Sequence, residues 1–301
     1  MKNKPLVSVI MNCYNGERYL KNSIQSVLNQ DYENWELIFW DNKSQDRSKK
    51  IFNGFKDKRL KYYYAKKFTN LYAARNSAIK KAKGDILTFL DVDDLWLSEK
   101  LSKQVIFFEK NKKAELVYSN YFNLKNFFGF QSEIIQFKKN LPYGFITDKL
   151  LNSYCIGWLT VAIKKKDIKK ISFNEKLDMV SDFDFMINFS LNKKIFSIQQ
   201  PLAKYRQHSN QLTREKFFLQ AEQYLKWYQT AQTYIKFKKI KNLTKFIDRI
   251  FFLEKTIQIK DKKLYYYNIL DIFFSGKIKI ALKLLIFKTF PNFFVKFIAS
   301  I

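Results

Sequence analysis

The stretch Ile86-Leu87-Thr88-Phe89-Leu90-Asp91-Val92-Asp93-Asp94 decides how this chain is read. A mostly apolar run leads straight into three carboxylates. A short continuous apolar run is the pattern of a strand buried on both faces of a parallel sheet. The carboxyl ends of such strands are where open α/β sheets hold their ligands. Three acids in four residues repel one another unless something cationic sits between them. A hard divalent cation carrying phosphate oxygens answers that need. The plainer alternative is an acidic turn that caps the following helix.

The same rhythm extends to both sides of this stretch. Leu6 to Met11, Trp35 to Trp40, Leu60 to Tyr64 and Ala114 to Ser119 read as further strands. Arg18 to Asn29, Leu71 to Lys83 and Ser98 to Asn111 read as helices, and Ser44 is placed to cap another that runs through Phe52. This alternation predicts an α/β fold, a mostly parallel central sheet flanked by helices in a Rossmann-like arrangement. Further on, Phe122 to Phe130 reads as a loop or irregular strand and Ile134 to Phe137 as an edge strand. Ile146 to Asn152 is a short helix, Trp158 to Ile163 a strand and Val180 to Leu191 a helix. Phe196 to Gln199 and Ala203 to Gln207 read as two short strands around Pro201. From about Thr213, long runs without glycine or proline predict a helical C-terminal extension, so residues 1–212 and 213–301 are expected to form separate regions.

Of 301 residues, 47% are apolar, which is ample for a core and excludes a disordered chain. A net charge of +28 points to nucleic acid, an anionic membrane or a highly anionic substrate. Part of that charge follows a compositional bias toward Lys, Asn, Ile, Phe and Tyr in every segment. Residues 231–301 hold 15 Lys or Arg against 4 Asp or Glu, a local net of +11, together with Phe273-Phe274, Leu284-Leu285-Ile286 and Phe293-Phe294. Basic amphipathic helices with such anchors lie on anionic bilayers. The alternative is a helical tail packed on the catalytic region with a lysine-rich outer face. Ser275-Gly276 and Pro291 are expected to separate the last helices. Cys13 and Cys155 suggest neither a disulfide framework nor a zinc site, and fit a reducing cytoplasm. No apolar signal segment follows Lys2 and Lys4, and no uncharged apolar stretch is long enough to span a bilayer.

Polar clusters follow three of the strands: Asn12 to Glu17, Asp41-Asn42 and Asp91 to Asp94. Strand ends of one parallel sheet converge in space, so these clusters can line one crevice. Arg75 suits a pyrophosphate as a charge-assisted donor, or else a surface ion pair. Asp182 and Asp184 open a helix, where both can accept backbone N–H bonds; alternatively Asp182 is a general base beside an acceptor hydroxyl. His208 is the only histidine, usable as one ligand of a mixed site with carboxylates. Neither G-x-G-x-x-G nor G-x-x-x-x-G-K-[ST] occurs, which argues against a dinucleotide dehydrogenase or a P-loop ATPase and leaves a cation to neutralise phosphate.

In order, Pro5-Leu6-Val7-Ser8-Val9-Ile10-Met11-Asn12-Cys13-Tyr14-Asn15, Ser26-Val27-Leu28-Asn29-Gln30, Trp40-Asp41-Asn42-Lys43-Ser44-Gln45-Asp46, Ala74-Arg75-Asn76 and Phe89-Leu90-Asp91-Val92-Asp93-Asp94 resemble the motifs of the family 2 glycosyltransferases. The resemblance spans about residues 5–210 and implies a GT-A fold. By that resemblance Tyr14 and Asp41 meet the nucleobase, with Asn15 and Glu17 bordering the same pocket. Arg75 lies near the ribose or diphosphate, and Asp91 contacts the ribose and sugar. Asp93 binds Mn²⁺ or Mg²⁺, Asp182 is the catalytic base, and His208 completes the metal or diphosphate site. Asp94 is expected to support the turn.

The implied activity is inverting transfer of a sugar from a nucleotide-sugar donor, by resemblance a UDP-sugar. The acceptor is a saccharide or lipid-linked saccharide in bacterial surface glycan synthesis, such as lipopolysaccharide or capsule. The enzyme is expected in the cytoplasm, peripheral on the inner face of the membrane. Three positions depart from the family pattern: Lys43 replaces a small glycine, Asn42 a frequent aspartate, and Ser181 a common glutamate. The competing readings are a basic nucleic-acid-binding protein and a sugar-nucleotide-binding protein without catalysis. The acidic crevice and the lack of a base-reading motif weigh against the first, so no specific nucleic acid is expected as a partner. Asp91, Asp93 and Asp182 weigh against the second. The transferred sugar, the linkage and the oligomeric state are not set by these residues.

Overall fold

A computed structural model describes residues 4–127, 130–168, 172–208, 216–260, 269, 272 and 277–289. Val7–Cys13 (β1), Trp35–Asp41 (β2), Leu60–Tyr64 (β3) and Ile86–Phe89 (β4) form a parallel block in the order β3-β2-β1-β4. Every residue of β1 and β4 is buried, which is why their sequences run apolar without alternating. Glu17–Leu28 (α1), Ser48–Asn53 (α2) and Leu71–Ile79 (α3) connect these strands. On α1, Leu20, Ile24 and Val27 recur at helical spacing and are buried. The strand order reverses at β1, which has β2 on one side and β4 on the other. The acidic run therefore emerges at the carboxyl ends of β1 and β4, the switch point at which open α/β sheets hold their ligands.

The helix expected from Ser44 begins instead at Ser48. Ser44 and Asp46 are engaged by the backbone N–H groups of Asn15 and Glu17, and Asp46 also accepts the Ser48 N–H at 2.9 Å.

Beyond β4 the sheet becomes mixed. Leu95–Trp96 (β5), Leu116–Phe127 (β6), Phe130–Ile135 (β7), Ala162–Lys164 (β8) and Phe196–Gln207 (β9) extend the order to β3-β2-β1-β4-β8-β6-β9-β5, with β7 at the side of β6. Only β6 and β9 pair in parallel there; β4-β8, β6-β8, β6-β7 and β5-β9 are antiparallel. The parallel expectation thus holds for the first half alone. Residues 122–127 belong to a long strand rather than a loop, because they form a hairpin with β7. The two short strands expected around Pro201 are one strand. Its register against β6 jumps from Ile198↔Ser119 to Pro201↔Asn120, and this bulge accommodates the proline. Trp158–Thr160 is a single tight helical turn before β8 rather than the start of a strand.

Two buried polar clusters fix β4 below the crevice. On Lys100–Lys110 (α4), Lys100 is fully buried. Its ammonium donates to Thr88 Oγ1 at 2.7 Å and Gln104 Oε1 at 2.9 Å, over the ring of Trp96, and burial pushes its pKa well down. At the start of β4, Gly84 N–H donates to Ser8 Oγ (2.8 Å). Ser8 Oγ donates to Glu36 Oε1 (2.7 Å), which also accepts the Lys83 N–H (2.6 Å). A Cβ on Gly84 would stand 2.6 Å from both Leu6 O and Ser8 N, so an alanine there must push backbone apart. Gly84→Ala is expected to cost about 1–3 kcal/mol, read as a lower urea midpoint at unchanged slope.

The chain divides into two compact units. The first comprises Met1–Ile146, Cys155–Lys176 and Ser181–His208, and so contains Lys165–Ile168 (α6), Ser181–Asn192 (α7) and the whole sheet. The second comprises Thr147–Tyr154, Leu177–Val180 and Ser209–Ile301. Within it lie Thr147–Asn152 (α5), Phe217–Ala231 (α8), Thr244–Lys260 (α9) and Ile278–Thr289 (α10). Phe237 stacks on Phe246 at 5.6 Å beside Trp227, and Asn152 ties α5 to the start of α9 by accepting the Phe246 N–H. Among the described residues, no helix is long and apolar enough to cross a membrane. Phe273-Phe274, Ser275-Gly276, Pro291 and Phe293-Phe294 lie outside the described residues.

Candidate active site

The loops after β1 and β2 are knitted together. Asn15 adopts φ +53° and Lys43 φ +71°, both left-handed. Lys43 therefore keeps the backbone geometry that a glycine favours at its position. Asn15 N–H donates to Ser44 Oγ, Asn15 Oδ1 accepts the Gln45 N–H, Gly16 N–H donates to Ser48 Oγ, and Glu17 N–H donates to Asp46. Glu17 accepts both the backbone N–H and the guanidinium of Arg47, which hold its carboxyl below the usual range. Tyr14 stands half exposed against Phe68, ring centroids 4.7 Å apart.

Asp41, the residue expected at the nucleobase, is engaged by two neighbours. It is fully buried, one oxygen accepting the Ser44 N–H at 2.7 Å and the other the Tyr62 hydroxyl at 2.6 Å. In this arrangement it ties the loop after β2 to β3.

The acidic turn is held from three directions. Ser23 Oγ lies 2.7 Å from Val92 O and 2.6 Å from Asp94 O. Arg206 donates its Nε–H to Asp93 O at 2.8 Å and its backbone N–H to Asp94 Oδ1 at 2.9 Å. Asp94 is 2% exposed, and burial, then Asp93 and Asp91, push its pKa well up; it supports the turn from inside. From below, Gly16 leaves room for Val92: a Cβ there would come within 2.9 Å of Val92 Cγ2 and 3.0 Å of Cys13 Sγ. Gly16→Ala is expected to displace the turn and lower turnover about tenfold. The double variant with Val92→Ala is expected to recover most of that loss, a coupling read from a double-mutant cycle.

Two carboxylates of the turn face outward with different partners. Asp93 Oδ2 lies 2.9 Å from His208 Nε2, their side chains 28% and 14% exposed. The His208 ring also packs on Tyr19, and among the described residues its Nδ1 is buried without a hydrogen-bond partner. Asp91 Oδ1 lies 2.9 Å from Arg75 Nη2. Arg75 makes an ion pair, but not on the surface. Its side chain is 4% exposed, the guanidinium carbon 5.4–5.9 Å from the ring centroids of Tyr72, Phe89, Trp158 and Phe173. Packed in that cage, Arg75 orients Asp91.

Asp182 opens α7 and is half-buried. Burial raises its pKa, opposed by the Phe183 N–H that it accepts at 2.8 Å, by the charge of Arg75 and by the neighbouring Tyr72 hydroxyl. Asp184 instead accepts the Asn188 side chain at 2.8 Å, a bond within the helix. Arg75 thus links the acidic turn to a separate carboxylate. The structure pairs Asp93 with His208 and Asp91 with Arg75, whose charge also acts on Asp182, and places Tyr14, Asn15, Glu17 and Asp41 in the loops after β1 and β2. Sequence reasoning missed Arg206, Tyr72, Trp158 and Phe173. Only Arg206 had a signal, its place in the polar run Tyr205-Arg206-Gln207-His208.

Chemically, the pair Asp93–His208 offers a hard oxygen and an imidazole nitrogen at one point. Among the described residues, no three His, Cys, Asp or Glu side chains gather to hold a metal by themselves. The donor set still fits a hard divalent cation whose remaining ligands are phosphate oxygens and water.

Comparison with known proteins gives a consistent picture. The sequence model of Glycosyl transferase family 2 matches residues 8–196. An uncharacterized glycosyltransferase of Methanocaldococcus jannaschii is 34% identical over 247 residues, 78% of this chain and 81% of its own. The Escherichia coli UDP-Glc:alpha-D-GlcNAc-diphosphoundecaprenol beta-1,3-glucosyltransferase WfgD is 38% identical over 173 residues, 56% of this chain and 64% of its own. The structure of S. aureus TarS 1-349 in complex with UDP-GlcNAc shares the fold with a TM-score of 0.60 at 18% identity, covering 92% of this chain and 90% of that one. The Pyrobaculum calidifontis mannosyltransferase in complex with GDP-Man and Mn²⁺ does so with a TM-score of 0.61 at 14% identity, covering 98% and 86%.

Proposed function

This chain belongs to glycosyl transferase family 2, and from that premise we propose that it is a metal-dependent inverting transferase. It takes a sugar from a UDP-sugar and passes it to a lipid-linked saccharide at the inner face of the membrane, in surface glycan synthesis. The observation that carries this reading is the pairing of Asp93 with His208 at 2.9 Å, beside a second carboxylate, Asp182, that feels the charge of the Arg75 paired with Asp91. The relative that acts on a diphosphoundecaprenol-linked sugar supports the acceptor class. The neighbour holding UDP-GlcNAc supports the donor.

In this mechanism Tyr14 lies against the base, and Asp91, fixed by Arg75, meets the ribose and sugar. Asp182 takes the proton of the acceptor hydroxyl as that oxygen attacks the anomeric carbon from the face opposite the diphosphate. The new C–O bond forms as the bond to the diphosphate breaks, so the anomeric configuration inverts. Asp93 and His208 would hold Mn²⁺ or Mg²⁺, which supplies positive charge against the departing diphosphate. The test is turnover of a panel of UDP- and GDP-sugars with a diphosphoundecaprenol-linked acceptor, with Mn²⁺ and with EDTA. Mn²⁺-dependent consumption of one UDP-sugar with inversion is the expected result. Retention of configuration, or equal rates in EDTA, would sink the proposal.

A further inference from the structure

Helix α10 packs one face inward and leaves another apolar face outside. Ala281 and Leu284 are buried with Ile269 and Ile272, against Phe251 and Phe252. On the opposite side Ile278, Leu282, Leu285 and Ile286 are 47%, 48%, 41% and 44% exposed. Their spacing of four, three and one places them in one strip along the helix. Lys279 and Lys283, both exposed, border that strip on the same outward arc. The helix contains no acidic residue, and the segment around it carries a net charge of +11.

We infer that this face of α10 is a docking surface for an anionic lipid bilayer. Aliphatic side chains at the centre and lysines at the border match acyl chains below anionic headgroups. Its 12 described residues do not suffice to span the hydrocarbon, and a helix with one apolar strip bordered by lysines lies along the surface. A second copy of the chain fits less well, because a two-fold pairing of these faces sets Lys279 and Lys283 against the same lysines. The inference deepens the functional reading above, since a lipid-linked acceptor must be met at a bilayer.

The test uses the full chain and vesicles of phosphatidylcholine with or without phosphatidylglycerol, read by co-sedimentation. The chain is expected to bind the phosphatidylglycerol vesicles. Leu282→Ser with Ile286→Ser should weaken that binding about tenfold or more, as expected for withdrawing two aliphatic side chains. Lys279→Gln and Lys283→Gln should each weaken it about fivefold, on the anionic vesicles only. Ile247→Ser, which removes an exposed apolar side chain of α9, should leave it unchanged. Far-ultraviolet dichroism checks that each variant folds. Undiminished binding by the Leu282/Ile286 variant overturns the inference, as does a wild-type dimer that this variant dissolves. UDP binding in Mn²⁺ on the same preparations separates the two readings. Vesicle binding without UDP binding removes the donor and keeps the docking face, and the reverse result removes the face alone.

Discussion

Replacing Asp182 by asparagine is expected to lower kcat by roughly 10²–10⁴-fold, the range of a lost general base, while the protein stays folded. Asparagine keeps an oxygen for the Phe183 N–H, so the start of α7 survives. What it loses is the proton acceptor. The pH dependence carries the same signature. Burial raises the Asp182 pKa above the usual carboxylate value, and the base must be ionised to act. The rate of the parent should therefore fall as pH drops through a value above the ordinary carboxylate range, and D182N should lack that limb.

Stability should move the other way. A carboxyl whose folded pKa is raised holds its proton more tightly folded than unfolded. It therefore costs stability as pH rises from the unfolded pKa through the folded one, and that cost persists at neutral pH. D182N is expected to melt no lower than the parent at neutral pH, so a large loss of activity with an undiminished Tm identifies chemistry rather than unfolding.

Asp93→Asn is expected to lower kcat/KM by roughly 10²–10³-fold, the scale of removing one electrostatic contact from developing charge. The turn itself should survive, because its scaffold is made by other atoms: Ser23 Oγ against Val92 O and Asp94 O, and Arg206 on Asp93 O and Asp94 Oδ1. The asparagine also leaves His208 Nε2 without its anionic neighbour. Raising Mn²⁺ should restore little of the rate, since a neutral amide oxygen binds a hard cation more weakly than a carboxylate. Steady-state kinetics across a Mn²⁺ series measures this. A D93N enzyme that reaches the parental rate at high Mn²⁺ would instead make Asp93 one replaceable ligand among several.

The parts of the site legible in the sequence are those fixed by local pattern. An apolar run ending in acids placed Asp91 to Asp94 beyond β4, and the polar breaks after β1 and β2 marked the loops beside it. Hidden from that reading were the contacts set by residues far along the chain. Asp41 turned inward because Tyr62, from the neighbouring strand, takes one of its oxygens. Arg75 went into an aromatic cage because Trp158 and Phe173, distant in sequence, close over it. The sheet beyond β4 became mixed for a related reason. The parallel block follows from repeated strand–helix crossovers, whereas β6 and β7 turn back directly as a hairpin. Pro201 signalled a break, yet the two glutamines before it absorb the irregularity as a bulge. Lys43 shows the limit of reading one position alone: a lysine stands where glycine is common and still holds a left-handed φ of +71°.

The most direct measurement is the heat of UDP binding to the intact chain, titrated once in Mn²⁺ and once in EDTA. If the crevice at the end of β4 holds a nucleoside diphosphate through a cation on Asp93 and His208, UDP binds in Mn²⁺ and binding weakens at least about tenfold in EDTA. Equal binding in both, or no binding in Mn²⁺, would contradict it.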